Sequence, residues 1–110
     1  MVSEQQINQA GISSLVNIDP IIHAPTRLTV LTYLYVVESA DFVFLKNMTG
    51  LTWGNLSTHL SRLEEAGYVT IEKEFRGKKP HTMVRLTDKG RAAFREYKRT
   101  MQQVLDDLPD

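Results

Sequence analysis

The chain of 110 residues contains no cysteine, which excludes disulfides, thiol catalysis and cysteine-based zinc or redox sites. It also lacks an apolar run long enough to cross a membrane, because the most hydrophobic stretch, residues 28–37, is interrupted by threonines and tyrosines. No basic segment followed by an apolar core marks a signal peptide. The length suits one compact domain, and we expect it to act in the cytoplasm without a membrane partner.

The usual signs of catalysis are missing. There is no glycine-rich phosphate loop, no nucleophile arrangement and no convincing pair of catalytic carboxylates. The three histidines are dispersed, and only Asp19 with His23 has a spacing that suits metal ligands. Structural packing, with a hydrogen bond, is the favoured role for His23 and His59. We therefore predict no enzyme activity, no metal site and no cofactor.

The chain has a formal net charge of 0 at pH 7, but its charges are unevenly distributed. Between residues 75 and 99, nine basic residues accompany two acidic ones, so this stretch carries a net charge of +7 and the remainder carries −7. Such a segment is either a solvated surface or the electrostatic footprint of a nucleic-acid binder.

The most informative pattern is a predicted helix at residues 52–66. Thr52 can cap its first turn, and Gly67 is typical of a helix stop. Leu56, Leu60 and Leu63 share one stripe at helical spacing. The opposite face carries small or polar side chains in place of the long charged ones that favour solubility: Gly54, Ser57, Thr58, Ser61, Arg62 and Glu65.

The neighbouring segments predict a helix-turn-helix followed by a hairpin. Leu45 and Met48 mark a short helix, and Gly50 permits a sharp turn into the next helix. Residues 68–75 and 82–86 alternate as strands around a basic loop at residues 76–80, which is typical of a wing. Pro25 opens an earlier helix with a predicted apolar stripe. That stripe consists of Leu28, Leu31, Leu34 and Val37.

Two predicted helix starts have weak caps. Ala24 precedes Pro25, and Val43 precedes the short second helix, at positions where Ser, Thr or Asp would cap more effectively. Asp19 can cap a short turn that contains Pro20.

The ordered motifs resemble single-domain winged-helix transcriptional regulators of bacteria and archaea, related to the MarR and ArsR groups. The resemblance covers roughly residues 19–97 and rests on residues 51–57, His59-Leu60, residues 63–69, Asp19-Pro20, His23, Pro25, Arg27-Leu28, residues 77–80, residues 85–87 and Gly90-Arg91. It implies dimeric DNA-binding regulators without catalytic activity. The final helix has no histidine, so the metal-binding cluster of some ArsR-like sensors is absent.

Double-stranded DNA is therefore the predicted partner. The helix at 52–66 would enter the major groove, while the wing would grip the backbone or the adjacent minor groove. The predicted DNA-binding residues are Thr52, Trp53, Gly54, Asn55, Ser57, Thr58, Ser61, Arg62, Arg76, Lys78 and Lys79. Trp53 could contact the backbone or a thymine methyl, although a packing role is slightly favoured.

The two ends of the chain are predicted to form a dimer contact. Thr87 can cap a final helix, in which apolar residues recur at heptad spacing: Phe94, Tyr97, Met101, Val104 and Leu108. We expect this seam to pair with a second copy, although it could instead fold back onto its own core. Ile7, Ile12, Leu15 and Val16 suggest an N-terminal amphipathic helix that reinforces the dimer or stays partly disordered.

The predicted fold is mainly α with a small β-hairpin (α+β), a winged helix-turn-helix. Residues 1–18 form an N-terminal extension, 19–90 the winged helix and 91–110 a dimerisation helix. The predicted function is a homodimeric repressor that reads an inverted repeat. The alternative is a winged-helix protein-interaction module without DNA sequence specificity. A small-molecule effector would be a further partner, but the sequence does not identify one.

Overall fold

The computed structural model describes residues 3–4 and 11–110, and its secondary structure follows the predicted order with one additional strand. The elements are a 3-10 helix (Ile12–Asn17), α1 (Pro25–Val37), β1 (Ser39–Asp41), α2 (Phe42–Thr49), α3 (Trp53–Glu65), β2 (Val69–Arg76), β3 (Lys79–Leu86) and α4 (Asp88–Asp107). No helix within these described ranges is long and apolar enough to cross a membrane.

The last two helices, α3 and α4, begin at threonines whose side chains accept a hydrogen bond from a free backbone amide. Thr52 Oγ1 accepts a hydrogen bond from the Asn55 amide at 3.2 Å, which confirms the predicted start of α3. Thr87 caps α4 in the same way. Ala24 provides no side-chain cap to α1, as predicted. The prediction that Val43 occupies the cap position of α2 is wrong, because the helix begins at Phe42, two residues earlier than a cap at Val43 implies.

The true cap of α2 is Asp41, the last residue of β1. Its carboxylate accepts from the Val43 amide at 2.7 Å, so the helix start predicted to be weak is well capped. The helix ends at Gly50, which adopts the left-handed conformation at φ 70° and makes the sharp turn that leads to α3.

The sheet has three antiparallel strands in the order β1-β3-β2, and the short first strand was not predicted. β1 pairs Ala40 with Val84 on β3, and Val84 in turn lies opposite Ile71 on β2. The wing is tighter than predicted, because the strands continue to Arg76 and Lys79 and leave only Gly77 and Lys78 as the turn. Gly77 has a φ of 64°, as such two-residue turns require.

The core lies between α1, α3, the sheet and the first half of α4. Its fully buried residues include Val30, Leu31 and Leu34 of α1 and Val84 of the sheet. The predicted α1 stripe is only partly correct. Val37 is 40% exposed because α1 ends there and the chain turns at Glu38 into β1, whereas Leu28 is half-buried.

The apolar seam of α4 packs mainly against its own chain, which corrects the preferred sequence interpretation. Phe94 is buried against the ring of Tyr35 on α1, with ring centroids 5.1 Å apart. Tyr97 and Val104 are also buried. These residues of the predicted dimer contact therefore belong to the single chain's interior, as the fold-back alternative predicted.

The distal part of the seam has a different environment. Met101 is half-buried against the core, and Leu108 lies just beyond the helix with 44% of its surface exposed. The two remaining candidates for contact with a second copy are thus at the C-terminal end of α4.

Residues 12–17 of the N-terminal extension, which include three of the predicted apolar positions, form a 3-10 helix. It packs against the C-terminal half of α4, where Gly11 lies beside Gln103 and Asp107. Val16 is 85% exposed, so no buried apolar face forms here. Ile7 lies outside the described residues.

A close backbone crossing fixes α4 against the end of α3. Thr87 donates its amide to the Tyr68 carbonyl at 3.0 Å and its hydroxyl to the Gly67 carbonyl at 2.6 Å. Gly90 lies directly below, and a Cβ there would be 2.1 Å from the Tyr68 oxygen. Glycine is therefore required at position 90 for the helix to approach this closely.

Candidate nucleic-acid interface

Packing of one leucine stripe fixes the rotation of α3 about its own axis. Leu56, Leu60 and Leu63 are completely buried, and burial of each contributes about 1.5–3 kcal/mol relative to exposure. The opposite face is exposed and consists of the residues predicted to contact DNA: Gly54, Asn55, Ser57, Thr58, Ser61 and Arg62. The structure therefore confirms the two faces of the helix.

The N-terminal part of this face leaves room for close approach. A Cβ on Gly54 would meet nothing within 4 Å. The hydroxyl of Thr58 donates to the Gly54 carbonyl at 3.0 Å. Its donor is therefore occupied within the helix, so Thr58 presents an acceptor oxygen and a methyl group outward.

Two grooves border α3 and make it a ridge. On the wing side, a groove of about 360 Å³ separates Ser57 and Ser61 from Ile71 and Thr82 of the sheet. On the other side, a wider groove of about 640 Å³ is lined by Ile21, by Arg62 and by other residues of α3. A projecting helix with small side chains and free flanks has the shape needed to enter a major groove.

Trp53 lies at the edge of this ridge and serves partly as packing. Its ring stacks on Phe42 with centroids 5.3 Å apart and planes 5° from parallel. Lys46 Nζ lies 5.1 Å from the centroid of the Trp53 ring. The side chain is nevertheless 54% exposed, so its outer surface is accessible beside the reading face.

The wing tip carries cations with no carboxylate partner in the described part of the chain. Arg76, Lys78 and Lys79 are exposed, and none forms an ion pair there. By contrast, Arg85 lower on the wing is bound by Glu74 and approached by Glu72 at 3.8 Å. The tip is therefore the part of the hairpin whose positive charge is available to phosphates.

Not all of the positive charge counted in the sequence is available. Arg91 pairs with Glu38 at 3.7 Å, and Arg99 pairs with Glu96 at 3.0 Å. The Glu38 partner lies outside the basic segment, so the sequence count alone overstates the segment's effective charge.

A hydrogen bond joins β3 of the wing to the start of α2. His81 Nδ1 on β3 lies 2.6 Å from the carboxylate of Asp41, which also caps α2. Burial alone would raise the pKa of Asp41, but the hydrogen bonds from His81 and the Val43 amide outweigh it and lower the pKa below its ordinary value. This link couples the wing to the helix-turn-helix.

A second buried link ties α3 to the turn before α1. Arg27 is 7% exposed, and its guanidinium donates to His59 Nδ1 at 3.0 Å. Burial, together with the charges of Arg27 and Arg62, lowers the pKa of His59. His59 therefore packs structurally, as predicted, but its partner was not identified from the sequence.

A profile of the family described as "Winged helix DNA-binding domain" matches residues 26–105. The chain belongs to this winged-helix family. The matched range spans α1, the ridge and the wing, and extends along most of α4.

Three known proteins are similar to this chain. An uncharacterized protein of Methanocaldococcus jannaschii is 39% identical over 77 residues, which cover 70% of this chain and 84% of the relative. The structure of a transcriptional regulator homologue from Pyrococcus horikoshii OT3 matches with a TM-score of 0.77 and 25% identity over 93% of this chain and 95% of that one.

A mutant of MarR from E. coli, complexed with operator DNA, has the same fold. It matches with a TM-score of 0.64 and 23% identity, and the alignment covers 96% of this chain and 76% of that one. The fold of this winged-helix domain is thus that of MarR-like transcriptional regulators.

The histidines of the winged-helix domain do not assemble a metal cluster in the described ranges. His23 was predicted to be buried, but it is exposed, and its Nδ1 is hydrogen-bonded to the Tyr97 hydroxyl at 2.8 Å. Asp19 caps its turn through the Ile21 amide at 2.9 Å and accepts from the Tyr68 hydroxyl. The Asp19 and His23 pair is therefore explained by local structure.

Proposed function

We propose that this protein is a homodimeric transcriptional repressor that reads an inverted repeat in double-stranded DNA. The observation that carries the proposal is the α3 ridge, which is small and polar outside, anchored by buried leucines inside and flanked by a free basic wing tip. Membership of a DNA-binding family supports the same partner. Its site of action is the cytoplasm.

Sequence discrimination is assigned to the exposed side of α3. Arg62 can bind guanine through two hydrogen bonds, while Ser57 and Ser61 can donate to or accept from base edges. Asn55 near the start of the helix suits either adenine or a phosphate. Apart from Trp53, this face has no large apolar side chain, so it offers little to a protein partner.

Affinity that does not depend on sequence is assigned to the wing tip. Lys78 lies in the two-residue turn of the wing, and the paired residues Arg76 and Lys79 flank that turn. Their binding to phosphates releases counterions from the duplex, which makes the affinity fall as salt concentration rises.

The dimer contact is assigned to the distal end of α4 and the adjoining 3-10 helix. Leu105 is 60% exposed and Leu108 44%, and Val16 is exposed in the segment that packs beside them. A cluster of exposed apolar side chains on so small a domain is typical of an interface. Met101 can extend this contact toward the core.

Charge along α4 favours an antiparallel arrangement of two such helices. Arg95, Lys98 and Arg99 lie near its middle, whereas Asp106 and Asp107 end it. Antiparallel pairing brings the basic part of one helix toward the acidic end of the other.

A repressor mechanism fits a domain of this size, because by occupying its operator it competes with other proteins for that DNA.

Selection from randomised duplex DNA tests the function and the symmetry together. We expect enrichment of a palindrome whose half-sites lie about one helical turn, or a multiple of it, apart. Enrichment of a single asymmetric site would contradict the dimer. Failure to enrich any duplex at low salt would contradict DNA reading altogether.

Sedimentation measures the dimer independently of DNA. We expect a dimer that is weakened by Leu105→Asp with Leu108→Asp, since burial of either carboxylate in an apolar contact is costly. The matched control is Val36→Asp, which places a carboxylate at an exposed valine of α1. A wild-type monomer at all concentrations would contradict this part of the proposal.

A further inference from the structure

The buried side chain of Arg27, behind α3, is hydrogen-bonded to neutral groups within the described residues. Arg27 Nε donates to the Ile21 carbonyl at 2.6 Å, and another guanidinium nitrogen donates to the Pro20 carbonyl at 3.3 Å. The third contact is with His59 Nδ1 at 3.0 Å. In the described part of the chain, no carboxylate forms an ion pair with Arg27. The guanidinium thus joins the turn before α1 to the middle of α3.

The chemistry of this contact determines the protonation state of the histidine. A guanidinium has only donors and stays charged at any ordinary pH, so His59 Nδ1 must be the acceptor. The ring proton of His59 is therefore on Nε2, and the imidazole is neutral. Protonation of Nδ1 would remove the acceptor and leave two cationic groups at hydrogen-bonding distance.

The charged groups around His59 all act in the same direction. Arg27 on α1 is in direct contact, and Arg62 lies one turn further along α3. The nearest acid in the adjoining turn, Asp19, is already engaged by the Tyr68 hydroxyl and by backbone amides. Both cations and the burial of the ring favour its neutral form.

We propose that Arg27 and His59 are positioning residues that hold α3 in its DNA-reading orientation only while the His59 imidazole is neutral. This inference rests on the proposed function of α3. Because the contact lies on the flank of the ridge, its loss frees α3 from the turn at Ile21. Acidification then weakens DNA binding.

The direction of this effect distinguishes it from ordinary electrostatics. Protonation of a histidine normally adds positive charge and strengthens the attraction to phosphates. His81 has the opposite environment to His59, because its ring contacts the carboxylate of Asp41. An affinity that falls on acidification therefore requires a group whose protonation disrupts the protein.

The first test needs no DNA. Long-range proton–nitrogen NMR spectra of the histidine rings report which nitrogen carries the proton and when each ring titrates. We expect His59 to be the Nε2–H tautomer with a pKa below the ordinary histidine value, and we expect Arg27→Gln to move its titration upward. A His59 ring protonated on Nδ1 at neutral pH would overturn the inference whether or not the protein binds DNA.

The second test measures affinity for a selected duplex between about pH 8 and about pH 5. If binding requires neutral His59 in both protomers, wild-type affinity falls by about tenfold per protomer, or up to about a hundredfold for the homodimer, for each pH unit below the His59 transition. His59→Gln keeps an acceptor for Arg27 but does not titrate, so this fall should be absent. The matched control, His81→Gln, should retain it.

The outcomes separate this inference from the proposed function. The positioning role is overturned, while DNA reading stands, if wild type and His59→Gln have equal pH profiles of affinity. It is also overturned if wild-type affinity rises as the pH falls through the His59 transition. If no duplex binds at any pH, the proposed function fails and the NMR result still decides the protonation state. Thermal unfolding of each variant identifies misfolding. If His59→Gln misfolds, the pH profile of Arg27→Gln is compared with that of wild type instead.

Discussion

Removal of two charges from the wing tip should change the salt dependence of DNA binding by a calculable amount. Lys78 and Lys79 are exposed, and neither forms an ion pair with a carboxylate in the described structure. Each phosphate that a cation neutralises contributes about 0.9 to the slope of log affinity against log salt concentration. The Lys78→Ala, Lys79→Ala double variant should therefore have a slope smaller by up to about 1.8 for each protomer, or up to about 3.6 for the homodimer.

The same calculation predicts a difference that a binding titration can resolve. Between about 50 and about 200 mM salt, the wild-type homodimer should lose up to about a hundredfold more affinity than the double variant, about tenfold for each protomer. Fluorescence anisotropy with a selected duplex measures both slopes. The matched control, Lys98→Ala with Arg99→Ala, removes the same formal charge from α4 and should leave the slope nearly unchanged at protein concentrations where sedimentation shows that this variant is still a dimer. Equal slopes for wild type and the wing variant would refute the wing assignment.

Three further predictions concern stability. Gly90→Ala places a Cβ 2.1 Å from the Tyr68 carbonyl oxygen, so urea unfolding should show a loss of about 3 kcal/mol or more; an unchanged midpoint would contradict the close crossing. Gly54→Ala faces open space and should stabilise the protein by about 0.5–1 kcal/mol, whereas destabilisation would show that this face is obstructed. The depressed pKa of Asp41 contributes stability above its unfolded value of about 3.9 that is lost as pH falls through the folded pKa. Asp41→Asn should therefore flatten the decline of unfolding free energy between about pH 5 and about pH 2. An equally steep decline in the variant would show that the Asp41 carboxylate does not cause this loss of stability.

The parts of the fold that could be predicted are those with local causes. The cap at Thr52, the stop at Gly67 and the leucine stripe of α3 all follow from helical geometry and from one short segment of sequence. The exposed polar face of α3 is the complement of that stripe, so the candidate site could be predicted with it. The structure confirms these features.

The parts that could not be predicted depend on contacts between distant residues. β1 has three residues, too few to show an alternating pattern, and it exists because Ala40 pairs with Val84. The heptad spacing of α4 predicts an apolar seam but cannot distinguish a second copy from the chain's own α1, where Phe94 meets Tyr35.

The polar links behind the site were missed for a related reason. Arg27 and His59 are 32 positions apart, and an arginine is ordinarily assigned to the surface when only the sequence is known. His81 and Asp41 are 40 positions apart. Neither pair has a local signal, because each depends on how α1, α3 and the sheet are packed together.

The central claim is that side chains of α3 read bases, and repeating the DNA selection with Arg62→Ala tests it most directly. We expect the variant to lose base preference at one or two positions in each half-site, at a cost of about 1–3 kcal/mol for the wild-type sequence, while the remaining positions are unchanged. An identical enriched sequence and an equal affinity would contradict the assignment of Arg62. The same result with Ser57→Ala and Ser61→Ala would contradict the reading role of α3.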